Sequence, residues 1–411
     1  MKASAGKHVL FLVENASVPE DLRVWKEAKS VKHLGYDVTV ISPRGVNIDG
    51  EKHIVLEGVD VYRYPPLVIG SGFLSYILEY LNALWMSGWL VFRVNLRKRI
   101  HIFHVANPPD IFFPIIVLYK LFGAKYIFDV HDLFVNTFES KYQDNHSPVK
   151  KLIVGMLRIV ERMNILCADR LVVTNQSYRE YVLEHHGWNA EKVFIVRNAP
   201  PLDDRAGVAS DPSFKKGKSH MLVYFGVMGE DDGVDVVLSA VHHMVATRAF
   251  TDFVCYLIGP TEIERSSAIV KLRQMHKELG LNSHVFFTGH LPWRLVHQYL
   301  NTADIGLSPD LYTPQNNLST MIKIMEYMSH GLPIVSFNLK ENRFSAGEAA
   351  VYCGAYQAEE LGDTIIALLN DASRRKAMTS VGLARYAGDF NWSSSEKNLS
   401  AVYASLQEGT L

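Results

Sequence analysis

Short apolar runs alternate with stretches of helical period along most of the chain. HVLFLVE (8–14) is a continuous apolar run of strand length, as buried parallel strands are. A polar loop, NASVPED, separates it from LRVWKEAKSVKHLG. There Leu22, Trp25, Ala28 or Lys29, and Val31 or Lys32 trace an imperfect helical period, and Gly35 offers a C-terminal stop. YDVTVISP (36–43) is the next run. Strand, helix and strand joined by short connections form a βαβ unit, so a parallel sheet with helices on both faces is expected.

The pattern resumes with the run IHIFHVANPP, a helical segment over 110–122 and the run KYIFDVHD. A long helical stretch (151–166) leads to DRLVVTNQS, and KVFIVRNAP (192–200) closes this half. Residues 200–219 are rich in Asp, Pro, Gly and Lys, the composition of a linker. The alternation then restarts with HMLVYFGVMG (220–229) and the helical VDVVLSAVHHMV. The runs DFVCYLIGP, HVFFTGHLP and ADIGLSPD follow, each with a polar or glycine-containing end. A helix over 319–330 precedes the strand LPIVSF. The expected architecture is α/β: two Rossmann-like domains, 1–200 and 201–385, facing each other across a cleft. A helix break at Asn391–Trp392 marks a final amphipathic helix within 386–411. Open sheets of this kind bind ligands beyond the carboxyl ends of their strands.

The 411 residues are too many for one ordinary core and suit two. Basic and acidic side chains nearly balance, 42 against 43, so no general field attracts nucleic acid. Cys167, Cys255 and Cys353 are far apart and odd in number, which fits a reducing compartment and neither a disulfide framework nor a metal spacing. Met1–Lys7 is short and polar, and His8–Val13 is too short for a signal core, so a cytoplasmic location is expected. FLSYILEYLNALWMSGWLVFRV (73–94) is the most apolar segment and runs into Arg97–Lys98–Arg99. Glu79, Asn82 and Arg93 interrupt it, which argues against a membrane span. Two readings stay open: a fully buried helix, or a helix with an exposed apolar face whose basic cluster gives 73–99 a membrane-surface contact.

STMIKIMEYMSHGLP (319–333) carries the most chemistry. Ser319 or Thr320 can cap a helix whose free N–H groups and dipole favour an anion. Lys323 lies one turn in, within reach of a diphosphate, and Glu326 follows at i+3, where a carboxylate can accept from ribose hydroxyls. An ordinary capped helix with a Lys–Glu pair explains the spacing equally well. In the first half, FDVHDLF puts His131 and Asp132 at a strand end, where open sheets bind ligands; a hydrogen-bonded loop histidine is the plain alternative. Glu14, Asn15, Ala16 and Ser17, with Arg23 beyond, are expected on the acceptor side, and ordinary turn chemistry accounts for them nearly as well.

With its flanks, Glu326–Tyr327–Met328–Ser329–His330–Gly331–Leu332–Pro333–Ile334–Val335 resembles the donor site of family 4 glycosyltransferases, which are retaining and have the GT-B fold. The following FNLKENRFSAGEAAVYC is also similar, with Glu341 near the nucleotide-sugar pocket. The resemblance implies that a histidine near position 131 approaches the transferred sugar, that the final helix packs back on the N-domain, and that Trp392 is structural. Two departures mark a divergent branch. Leu318 stands where many members carry the first glutamate of a Glu-x7-Glu pair. Val227 and Asp232 stand where many carry Arg and Lys.

Diphosphate contacts are therefore expected from the backbone N–H groups of Gly226, Val227, Met228 and Gly229, from the Ser319–Thr320 helix start, and from Lys323. Asp231 and Asp232 would repel a diphosphate and are expected to point away. The implied reaction moves a sugar from a nucleoside diphosphate sugar, as co-substrate and with no other cofactor or metal, to a hydroxyl on a glycan or lipid-linked acceptor. A nucleotide-sugar 2-epimerase and a non-catalytic carbohydrate-binding scaffold compete with it. A dinucleotide oxidoreductase is disfavoured, because Glu14–Asn15–Ala16–Ser17 takes the place of a G-x-G-x-x-G turn.

Overall fold

The computed structural model describes residues 6–45, 51–67, 73–141, 148–200, 207–259 and 267–408. The chain divides into two compact units, one of residues 1–197 with 396–411, the other of 198–395. Each is an α/β unit built on a parallel sheet of Rossmann type.

The first unit opens with β1 (His8–Leu12), α1 (Leu22–His33) and β2 (Asp37–Pro43). Asp21 starts α1 by accepting hydrogen bonds from the amides of Arg23 and Val24. β3 (His53–Leu56) and β4 (Val59–Tyr64) follow as an antiparallel edge pair turned at Glu57–Gly58, both with positive φ. Then come α2 (Phe73–Arg97), β5 (Ile102–Ala106), α3 (Phe113–Lys120), β6 (Lys125–Val130), α4 (Phe134–Lys141), α5 (Pro148–Cys167), β7 (Arg170–Val173), α6 (Gln176–His186) and β8 (Val193–Ile195). The sheet order is β3-β4-β2-β1-β5-β6-β7-β8, with every pair parallel except β3–β4. β1, β5 and the apolar part of β6 are buried on both faces, which explains their unbroken apolar runs.

The second unit contains β9 (His220–Phe225), α7 (Val234–His242), β10 (Phe253–Ile258), α8 (Ser267–Glu278), β11 (Val285–Gly289), α9 (Trp293–Thr302) and β12 (Ile305–Ser308). It continues through α10 (Pro314–Leu318), α11 (Ile322–Ser329), β13 (Ile334–Phe337), α12 (Lys340–Ala346), β14 (Ala350–Cys353), α13 (Ala358–Leu369) and α14 (Ala372–Gly388). Its six strands lie in the order β11-β10-β9-β12-β13-β14, all parallel. Part of the expected linker, 201–206, lies outside the described residues. Its later part is packed: Phe214 stacks on Tyr299 at 4.0 Å, and its carbonyl accepts from the Tyr256 hydroxyl.

α15 (Trp392–Glu408) follows the break at Asn391, whose side-chain oxygen accepts from the Ser394 amide. Within the first unit this helix buries Leu399, Val402, Tyr403 and Leu406, and the Tyr403 hydroxyl shares a 2.8 Å hydrogen bond with His104 Nδ1. No helix among the described residues is long and apolar enough to cross a membrane.

Candidate functional site

In the second unit the strand-end site is assembled around α11. Gly306 on β12 lets the helix lie close: a Cβ there would stand 2.7 Å from the Tyr327 ring. The Tyr327 hydroxyl then accepts from the Phe225 amide at 2.9 Å and donates to the Leu307 carbonyl at 3.0 Å, tying the helix to β9 and β12. This fixes Lys323 beneath the loop that leaves β9. Gly226, at φ +151°, passes over it so closely that a Cβ would meet the lysine Cε at 3.3 Å.

Lys323 is 8% exposed, and its amine sits 2.6 Å from Asp310, 3.5 Å from Asp232 and 3.3 Å from the Tyr224 hydroxyl. Burial alone would lower its pKa, but the charges of Asp310 and Asp232 outweigh burial and raise it, so the amine is cationic. Burial raises the Asp232 carboxyl despite the lysine. One cation thus faces two carboxyl groups, a poorer diphosphate cradle than two bases would make.

Several expectations are corrected here. Asp232 does not point away: it turns in to Lys323, and its other oxygen accepts from the Gly229 amide at 2.8 Å. A buried ammonium needs counter-charge, which outweighs any advantage of leaving the loop clear. Two of the four loop amides are engaged, Gly229 by Asp232 and Gly226 by the Ile258 carbonyl at 2.9 Å. Ser319 and Thr320 do not cap the functional helix. Thr313 caps and Pro314 starts α10, Ser319 ends it by donating to the Gln315 carbonyl, and α11 begins only at Ile322 after Met321. Leu318 and Glu326 therefore stand on separate helices. Glu326 and Glu341 are both buried, Val227 is exposed, and the Met228 side chain lies in the core.

In the first unit, Asn107 holds the loop after β6. Its carbonyl oxygen accepts from the amides of His131 and Asp132, and its amide group donates to Asp110 and to the Asp132 carbonyl. His131 Nε2 lies 2.7 Å from Asp129 Oδ2. An ionised carboxylate only accepts, so the proton is on Nε2 and Nδ1 is the basic nitrogen of the neutral ring. Asp129 is fully buried. Burial would raise its pKa, but Arg23 and His131 outweigh this and hold it well below the usual range. Arg23 donates to Asp129 at 2.9 Å and to the Val196 carbonyl at 2.7 Å, and lies 3.1 Å from Glu27. Burial keeps Glu27 well above its ordinary value despite that arginine, and lowers the pKa of His104.

Arg23 is therefore a buried structural cation and does not line an acceptor surface; Ser17 is buried too, while Asn15 is exposed. Glu27, Asp129 and His131 bring ligand atoms within 4.8 Å of one another, a spacing that suits a small cation. The Arg23 guanidinium already sits on both carboxyl groups, so this cluster does not fit a metal. Asp132 is raised by burial, and Glu14 is pushed up to about 7 by burial and by Glu79.

Sequence reasoning missed Asn107, Asp129, Glu27, Tyr224 and Asp310. Asp129 had a visible signal, an acid inside an apolar strand two residues from His131. Asp310 had none, since only the fold brings it to Lys323.

Residues 22–199 match the model of the Glycosyl transferase 4-like domain, and residues 219–371 match Glycosyl transferases group 1. Between them the two matches take in the cores of both units, and the chain belongs to the glycosyltransferases of family 4 type that they describe. A D-inositol 3-phosphate glycosyltransferase of Geodermatophilus obscurus is 23% identical over 265 residues, 61% of this chain and 55% of that protein. The matched region thus spans about half the length of this curated relative. Sucrose-phosphate synthase of Thermosynechococcus elongatus superposes with a TM-score of 0.76 at 15% identity, covering 98% of this chain and 100% of that one. Anabaena HepE in complex with UDP-glucose gives 0.70 at 14% identity, covering 97% and 99%. These neighbours share the GT-B fold.

Proposed function

We propose that the protein transfers a sugar, with retention, from a nucleoside diphosphate sugar to a hydroxyl of a glycan or lipid-linked acceptor, on the cytoplasmic side of a membrane. The observation that carries this reading is the placement of Lys323 and Glu326 on a helix latched to the carboxyl ends of β9 and β12, where parallel sheets bind nucleotides. The likeness to HepE, which was crystallised with UDP-glucose, makes a uridine nucleotide the first donor to test.

On this reading the diphosphate takes Lys323 over from its carboxylate partners, and Glu326 holds the ribose. The lysine and the Val227 and Met228 amides meet the charge that develops on the leaving group, and Glu341 lies near the nucleotide-sugar pocket without facing that charge. No metal is required. The family resemblance gives His131 the transferred sugar, with its Nδ1 as the available nitrogen. Asn15 and Asp132 stay on the acceptor side.

One observation favours a second reading. Lys323 is already neutralised by Asp310 and Asp232, as in a protein that has lost donor binding and serves as a scaffold. A thermal-shift screen with UDP, GDP and ADP separates the two. A nucleotide at one hundred times its dissociation constant adds about 2.7 kcal/mol of stability. Stabilisation by one nucleotide, lost in Glu326→Ala, supports the transferase; no shift with any nucleotide supports the scaffold.

A further inference from the structure

α2, α3 and α5 form one helical layer with an unusual outer surface. Each follows a strand and leads to a parallel strand farther along the sheet in the same direction, β4 to β5 across β2 and β1, β5 to β6 and β6 to β7, so the right-handed rule puts all three on one face. Gly88 brings α2 against Ile115 in the first turn of α3, where a Cβ would sit 3.5 Å from the isoleucine side chain. α3 packs on α5, and Lys120 ties their ends by donating to the Cys167 carbonyl at 2.6 Å.

The outward face of α2 carries Leu81, Trp85, Trp89, Phe92 and Leu96, spaced four, four, three and four residues apart, all exposed, with Trp85 at 75%. α5 repeats the device with Leu152, Met156, Ile159, Met163 and Leu166, again exposed and again at helical spacing. Leu121 and Phe122, just past α3, lie between them, with Phe122 at 70%. Such stripes normally face a core, and contiguous patches of this extent mark a surface that meets something apolar. The charges are predominantly basic. The three helices carry Arg93, Arg97, Lys120, Lys150, Lys151, Arg158 and Arg162. Their only acids are Glu79, half-buried, and Glu161, buried; Arg158 also pairs with Glu139 of α4, and Lys120 with Asp169 just before β7.

We infer that this three-helix layer docks flat on an anionic lipid bilayer, with Trp85 and Trp89 seated at the headgroup level. A surface with apolar stripes and basic borders matches an anionic interface. A second copy of the same face would set basic borders against basic borders. The inference extends the reading of a lipid-linked acceptor from residues 73–99 to α3 and α5. It also stands apart from the donor site, because vesicle binding needs no nucleotide.

The test is co-sedimentation of the full chain with phosphatidylcholine vesicles, with and without 30% phosphatidylglycerol, a composition set by the experimenter. Tryptophan fluorescence serves as the second readout. The protein is expected to pellet with the anionic vesicles and to shift its emission to the blue. Arg93→Gln/Arg162→Gln should lower partition by about five-fold per charge, roughly 25-fold together, at the ~1 kcal/mol each that a basic residue near such a surface contributes. Trp85→Ser/Trp89→Ser should abolish binding and keep the wild-type melting temperature, since both rings are exposed. Retention in the supernatant with every vesicle overturns the proposal. So does equal binding to neutral vesicles, or a dimer in solution that Trp85→Ser/Trp89→Ser dissociates. Nucleotide binding that persists alongside any of these results leaves the donor reading standing.

Discussion

Replacing Asp232 by asparagine tests whether Lys323 is held in reserve for a diphosphate. Asp232 lies 3.5 Å from the lysine amine and accepts from the Gly229 amide. Asparagine keeps that acceptor and removes the charge. At an effective dielectric constant of about 20, a pair at this distance carries a gross attraction of roughly 5 kcal/mol. Asp232 is partly solvent-screened and Asp310 remains as partner, so the net gain to an incoming diphosphate should be nearer 1–1.5 kcal/mol. That corresponds to about five- to ten-fold tighter binding. Stability should move little, and upward. The Asp232 carboxyl is raised in the folded state, so its ionisation at neutral pH costs the folded form stability that asparagine restores. Calorimetric titration with UDP and a melting curve read the two quantities. An unchanged or weaker affinity at wild-type stability refutes the view that Asp232 competes with the diphosphate for Lys323.

Lys323→Ala should abolish nucleotide binding and also lower stability by about 3 kcal/mol in urea titration, since it leaves buried Asp310 without its cationic partner and with only the Ser308 hydroxyl; Glu326→Ala should abolish transfer. Tyr327→Phe removes a hydroxyl that bridges the Phe225 amide and the Leu307 carbonyl, and should cost about 1–3 kcal/mol and weaken UDP binding. Asp110, fully buried and pushed up to about 7, keeps its proton in the folded state to higher pH than in the unfolded one. Stability from this group is full below the ordinary aspartate range and is lost as pH rises from about 4 to 7. Asp110→Asn should flatten that slope in denaturation curves taken across the window. His131→Ala should leave UDP affinity unchanged and abolish transfer; a transfer rate within two-fold of wild type rejects its assignment to the sugar.

The parallel strands were legible because burial on both faces writes them as unbroken apolar runs, as in HVLFLVE and FDVHD. The β3–β4 edge pair was not read: one face is exposed, the strands are short, and only Glu57–Gly58 marks the turn. β14, four residues long, was lost for the same reason. The expected helix start at 319 differs from the observed one because Ser319 ends the short helix α10, and α11 starts at Ile322 after Met321 with no side-chain cap to mark it. Lys323 and Glu326 could be picked from local spacing. Their neighbours could not, because Asp310 and Asp232 reach Lys323 only through the sheet order. The apolar 73–94 segment left two readings open, and the exposure of Trp85 and Trp89 decides against the fully buried one.

Hydrogen–deuterium exchange with and without saturating uridine nucleotide tests the donor site most directly, because it reports both binding and place. Slowed exchange is expected in peptides covering 226–233 and 310–329, around the β9 loop, Asp310 and α11. Full exchange there with nucleotide present, or protection confined to the first unit, contradicts the donor-site assignment.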